Sequence, residues 1–309
     1  MRLPALRLPS FRLSFDWLEG LGGRRTVLYA LYTLVLFLIF MVANFPHNVL
    51  VQRVLKSVDL NARGMQLDVG DTRFAWWRGY ELQHVRLAPL NPDELPYMEA
   101  SSIFVRPGLD GLLRGQVHSV HALATMYGGT VDGDASDSDG IRRATVTFDG
   151  LQLQRYPRAC SFLKECTLSG LLSGVITVES RVGDAGDTRA AGELEIDRGS
   201  ITQTKFNAIP LPDLHFDKVG LKFSMQSGRL DVQEFEANGP EVKVSVSGQI
   251  AVRDPVSDSV LNLKLTALPG PNSPDDVKTL LSLLPPLPKG AKPDTPRVIS
   301  GTLARPRIR

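Results

Sequence analysis

Thr26 to Phe45, TVLYALYTLVLFLIFMVANF, passes twenty residues without a charge and is closed by Pro46. At about 1.5 Å rise per residue, a helix of that length covers about 30 Å, the hydrocarbon thickness of a bilayer. No later segment has the length and hydrophobicity to repeat it. The run is longer than a signal-peptide core, and Met41-Val42-Ala43 leads into Asn44-Phe45-Pro46 rather than a small-x-small cleavage site. Residues 26–45, among them Thr26, Leu31, Leu36, Ile39 and Phe45, are therefore expected to form an uncleaved transmembrane helix.

Charge orients the span. The tail of residues 1–25 carries Arg2, Arg7, Arg12, Arg24 and Arg25 against Asp16 and Glu19. Cationic flanks stay on the cytoplasmic side, so Arg24 and Arg25 fix a cytoplasmic tail and an exported remainder. In a bacterium that remainder lies in the periplasm, on a single-pass inner-membrane protein. The whole chain has 35 basic and 33 acidic residues; removing the first 45 leaves 30 against 31. An exported part this close to neutral offers no electrostatic footprint for nucleic acid.

After Pro46 the pattern is first helical. Leu50 and Val54 share a face, which predicts a linking helix over 46–63. From residue 64 onward the period becomes two. Val242, Val244, Val246, Ile250 and Val252 alternate with Lys243, Ser245, Ser247 and Gln249. Leu221, Phe223 and Met225 repeat the pattern, as do Leu261, Leu263 and Leu265. One apolar and one wet face predict a mainly β, antiparallel sheet, with Leu221, Phe223, Met225, Val242, Val244, Val246, Leu261, Leu263 and Leu265 as a candidate apolar groove face. Gly192, Gly220 and Gly248, spaced by 28, hint at repeated β-units. Asp149-Gly150 suits a tight turn between strands, and the acidic run Asp132–Gly140 a solvated hairpin loop.

Residues 64–309 form the β-rich exported domain, with a candidate sub-boundary near 155–167. Cys160 and Cys166, the chain's two cysteines, fall in that stretch. In an oxidising compartment they suit a disulfide closing their own loop, with two free thiols as the alternative. Ser273-Pro274-Asp275-Asp276 predicts the start of a short helix over Val277–Leu284. This helix and the linking helix are the expected covers for open sheet edges. The cluster Phe74, Trp76, Trp77 and Tyr80 reads as core, or as a contact with the bilayer surface.

Signatures of chemistry are missing from the sequence. His118 and His121 fall on opposite faces of a strand and do not form a chelating pair. Counted as a calcium loop from Asp132, the run places Asp137 and Arg143 where glycine and glutamate are required. No nucleophile elbow, P-loop, dinucleotide fingerprint or H-E-x-x-H occurs. The expectation is a protein that is not an enzyme, with no catalytic residues, no metal site and no cofactor.

The chain resembles a known family on four short phrases. They are the anchor running into Phe45-Pro46-His47-Asn48-Val49-Leu50, Tyr127-Gly128-Gly129-Thr130-Val131-Asp132-Gly133, Leu168-Ser169-Gly170-Leu171-Leu172-Ser173-Gly174, and Ile299-Ser300-Gly301-Thr302-Leu303-Ala304-Arg305-Pro306. In these it is similar to the N protein of bacterial type II secretion systems (general secretion pathway protein N). The glycine-strand phrases also resemble AsmA-like proteins. The resemblance implies an inner-membrane accessory component of the machinery that exports folded proteins across the outer membrane. Its partners would be inner-membrane lipid and other type II secretion components. It also implies a large curled sheet with an apolar groove and a few short helices. The groove would take acyl chains or a partner strand, and a lipid-binding or lipid-transfer module in the periplasm is the alternative function.

Overall fold

In the computed structural model of the protein, the described residues are Tyr29, 31–37, Phe40 and, from Gly64 to Arg309, all but 76–78, 92, 109–117, 161–165, 182–183, 204, 207–208, 211, 287–291 and 293. The chain divides into two compact units, Met1–Leu50 and Val51–Arg309. In the first unit, Tyr29, residues 31–37 and Phe40 are helical and exposed, Leu31 and Leu36 among them. No helix among the described residues is long and apolar enough to cross a membrane. Arg24, Arg25, Thr26, Ile39, Phe45 and the expected linking helix lie outside the described residues, as do Trp76 and Trp77.

The second unit is mainly β. Its strands are β1 (Met65–Val69), β2 (Thr72–Ala75), β3 (Gly79–Pro89), β4 (Met98–Pro107), β5 (Ser119–Met126), β6 (Gly129–Ser138), β7 (Ile141–Gln152), β8 (Thr167–Arg181), β9 (Asp184–Thr202), β10 (Lys205–Phe206), β11 (Ile209–Pro210), β12 (Leu214–Gln226), β13 (Arg229–Asn238), β14 (Val242–Ala251), β15 (Val260–Pro269), β16 (Arg297–Thr302) and β17 (Arg305–Ile308). All but β10 and β11, which pair with each other, belong to one 15-stranded antiparallel sheet. Its order follows the chain: β1 and β2 lie one after the other along the outer side of β3 at one end, and β17 forms the other. At about 4.8 Å per strand this makes an open ribbon roughly 60 Å across. It is not strongly curled. The ribbon continues unbroken through 155–167, because β7 and β8 pair on either side of that stretch.

Short connections explain the simple order. Tyr127-Gly128, Asp139-Gly140 and Ser227-Gly228 are two-residue turns in which both residues have φ between 48° and 78°. Such turns match the twist of the strands that they join, so each strand returns beside its predecessor.

Bulges keep one face apolar along strands as long as nineteen residues. In β7 the apolar set is Ala144, Val146 and Phe148, then Leu151, because the register with β8 shifts between Phe148 and Leu151. Asp149-Gly150 is thus a bulge inside one strand and not the tight turn that its sequence suggests. Gly150 takes a φ of 64° there. In β13 the same shift lies between Val232 and Phe235. Each extra residue resets the two-residue period after a break in the pattern. The expected acidic loop is likewise mostly strand: Asp132 to Ser138 belong to β6, and the turn is Asp139-Gly140 alone.

The helix α1 (Asp275–Ser282) begins two residues before the expected Val277. Pro274 stands at its N-cap position, without a side-chain cap bond, and Asp275 and Asp276 fill the first turn. Ser273 is therefore not the cap, and its buried hydroxyl has no hydrogen-bond partner among the described residues. Helix α1 does not cover a sheet edge. Val277, 2% exposed, packs with Phe216, Ala237 and Val242, so the helix sits on the sheet's apolar face. Val277→Ala is expected to cost about 2 kcal/mol, read as a lowered midpoint in urea unfolding, because it opens a cavity under a single covering helix.

Candidate functional site: an uncovered apolar face

The cross-strand register places the apolar residues in rows that run through the sheet. One row joins Leu82, Ile103, Ala124, Val131, Phe148, Gly174, Leu194, Leu221, Phe235, Val246 and Leu265 from β3 to β15. A neighbouring row includes Ile176, Gly192, Phe223, Val232, Gly248, Leu263 and Ile299. The nine residues of the candidate groove face fall together: Met225 joins Leu261 through Leu230 and Ile250, while Val244 and Val242 lie farther along β14. They form only the C-terminal third of a surface that extends across the whole sheet.

Among the described residues, little covers that surface. One buried cluster, Val85, Ala100, Ala124, Met126 and Leu151, and a second under α1 lie at the same end of the strands. Most of the remaining row residues, including Leu221, Phe223, Val246 and Leu263, are only half-buried, by their neighbours in the sheet. Folded monomers rarely leave apolar patches beyond a few hundred Å² open to water, so a face of this length marks a binding surface. At the open end of the strands, Val120, Ala135, Ala144 and Val178 line a trough of about 310 Å³. Its rim is polar, with His118, Ser180 and the Arg142–Asp137 ion pair at 3.1 Å.

The opposite face is wet and paired across strands. Glu193 bonds Lys222 at 3.1 Å, Arg143 bonds Glu179 at 2.6 Å, and Lys218 bonds Glu195. The Glu195 bond holds the Lys218 ammonium above its ordinary pKa, and the same bond holds the Glu195 carboxyl below its own. Stability from the lysine is present below its unfolded pKa near 10.5 and fades as pH rises beyond its folded one. That from the glutamate is present above about 4.5 and fades as pH falls through its lowered value. At neutral pH both are charged, and such exposed pairs set solubility and register more than they set stability.

His118 and His121 take opposite faces, His118 at the trough and His121 on the wet side. The β5–β6 register brings His121 Nδ1 to 3.0 Å from an Asp134 carboxylate oxygen and 3.6 Å from one of Asp132. The three ligand atoms lie within 4.8 Å of one another, the only such metal-capable group among the described residues. Spacing along the chain did not reveal it, because the proximity comes from pairing across a hairpin. An exposed His–Asp hydrogen bond accounts for the cluster without a cation.

Cys160 and Cys166 are bonded, with Cα atoms 5.8 Å apart. Arg158 beside them ties this loop to the β3–β4 connection. Its guanidinium donates to the carbonyls of Leu95 and Pro96 and lies 4.0 Å from the Tyr97 ring centre. Tyr156 meets Tyr127 edge-on at 5.5 Å, and the Tyr127 hydroxyl accepts the Glu99 N–H at 2.8 Å. Burial raises the Tyr127 pKa, so the phenol stays neutral. Phe74 and Tyr80 pack with ring centres 5.0 Å apart at the other end of the strands.

No protein-family model, curated protein or solved structure matches this chain.

Proposed function

We propose that the protein is a non-catalytic accessory component of a bacterial type II secretion system, held in the inner membrane by residues 26–45 with its sheet in the periplasm. The observation that carries this reading is the apolar face from β3 to β16, whose central rows have no covering layer among the described residues. A surface of this kind binds, and the uncharged run preceded by Arg24 and Arg25 would tether it to the membrane. The four resembling phrases supply the machinery to which it belongs. The test is deletion in a strain with a complete secretion apparatus. Folded substrates are expected to accumulate in the periplasm, and re-expression of the full chain to restore export. Unchanged export overturns the reading.

The trough favours a second reading, a lipid-binding or lipid-transfer module of AsmA-like type whose apolar face takes acyl chains. Ala135 and Ala144 leave room for an acyl chain beside Val120 and Val178. Mass spectrometry of protein purified from membranes and exchanged out of detergent reads it directly. Retained phospholipid supports it, and its absence counts against it.

A further inference from the structure

The two ends of the sheet differ in a way that bears on assembly. Val298 of β16 and Arg309, just past β17, exchange both backbone hydrogen bonds at 2.9 Å. Alternation then places Arg307 and Arg305 in bonded pairs with β16 and turns the backbone groups of Pro306 and Ile308 outward. Proline has no N–H, so one of the two outward donors is missing. If β17 met its own copy in antiparallel register, Arg307 would face Arg307 and Arg305 would face Arg309. This edge is closed to pairing by both its backbone and its charge.

The edge at β1 carries neither device. The Leu90 N–H donates to the Gly64 carbonyl at 3.1 Å, so Gln66 and Asp68 sit in the bonded pairs with β3. The N–H and C=O groups of Met65, Leu67 and Val69 therefore point outward. No strand among the described residues pairs with them. Antiparallel pairing of β1 with itself about Leu67 sets Met65 against Val69 and Gln66 against Asp68, with no like charges opposed. The two side chains are already complementary, because the Gln66 amide donates to Asp68 at 2.8 Å within one chain.

We propose that two copies of this chain associate edge to edge through β1, about a two-fold axis perpendicular to the sheet at Leu67. That axis leaves both apolar faces on the same side and joins them into one surface. A blocked β17 limits the assembly to a closed pair, whereas a β1-to-β17 contact would propagate as a filament. The pair does not depend on the reading of residues 26–45 as an anchor.

The test uses the full chain in detergent micelles and in nanodiscs. Light scattering is expected to give two copies per particle. Leu67→Pro removes an outward N–H together with a side chain that packs on the Val85 cluster, so it is compared with Leu67→Ala, which keeps the N–H. The proline variant is expected to associate roughly tenfold or more weakly than the alanine variant, while Ile308→Pro leaves association unchanged. Because Cys160 and Cys166 are bonded to each other, introduced thiols have no competitors. Gln66→Cys with Asp68→Cys is expected to give a covalent dimer under mild oxidation, and Arg307→Cys to give none. A single copy per particle with no crosslink at 66 and 68, or crosslinking at 307 instead, overturns the proposal. Carbonate extraction reads the anchor separately, so failure of the anchor is distinguished from failure of the pair.

Discussion

Charging the central apolar row, with Leu221→Asp, Val246→Asp and Leu265→Asp combined, is expected to reduce substrate export to the level of the deletion strain while the sheet stays folded. The three residues are cross-strand neighbours, linked through Phe235, and all are half-buried. A carboxylate on an uncovered face keeps much of its hydration, so each substitution costs about 1 kcal/mol rather than the several expected in a sealed core. For an occupant the loss is larger. Each Leu or Val that it buries contributes about 1.5–3 kcal/mol, so three charges weaken binding far more than tenfold. Ser247→Asp, on the opposite face beside Lys264, is the control and is expected to leave export unchanged. Circular dichroism of the purified variants separates loss of binding from loss of fold.

The second large effect concerns the backbone. Gly248 lies in β14 between Val232 and Leu263 at a φ of 133°. A Cβ there would stand 2.3 Å from the Asn262 carbonyl oxygen and 2.9 Å from the Leu263 Cα. Gly248→Val must displace β15 or change φ, and either costs about 3 kcal/mol or more. For a domain of this size that corresponds to a fall in Tm of roughly 6–12 °C. Gly220→Ala is the matched control, because a Cβ at Gly220 meets nothing within 4 Å. Its Tm is expected to stay within about 2 °C.

This contrast also decides what the 28-residue glycine spacing means. Gly192 leaves space for the Phe223 ring, which a Cβ would approach to 2.6 Å; Gly248 admits a neighbouring backbone; Gly220 does neither. Three glycines with three different surroundings do not mark a structural repeat.

Alternation made the sheet legible, most clearly where Val242–Ala251 and Leu261–Leu265 run without a bulge in their mutual pairing. It failed where a bulge shifts the period. Asp149-Gly150 has the composition of a hairpin turn, and only the pairing of Phe148 with Gly174 and of Leu151 with Leu172 reveals a continuous strand. The acidic β6 was hidden for a related reason. Aspartate disfavours strands intrinsically, but β5 and β7 pair along both sides of this one. Long-range register was invisible altogether. It sets the His121–Asp134 contact, brings Arg158 to Tyr97, and extends the apolar rows beyond the nine residues that the sequence singled out.

The proposed function requires that the apolar face be occupied in the working protein. A photo-crosslinking amino acid at Phe223, with one at Lys222 on the opposite face for comparison, tests it in cells that are actively secreting. Adducts with a secretion component or with phospholipid at position 223, and not at 222, are the expected result. Equal labelling at the two positions, or none at 223, would contradict it.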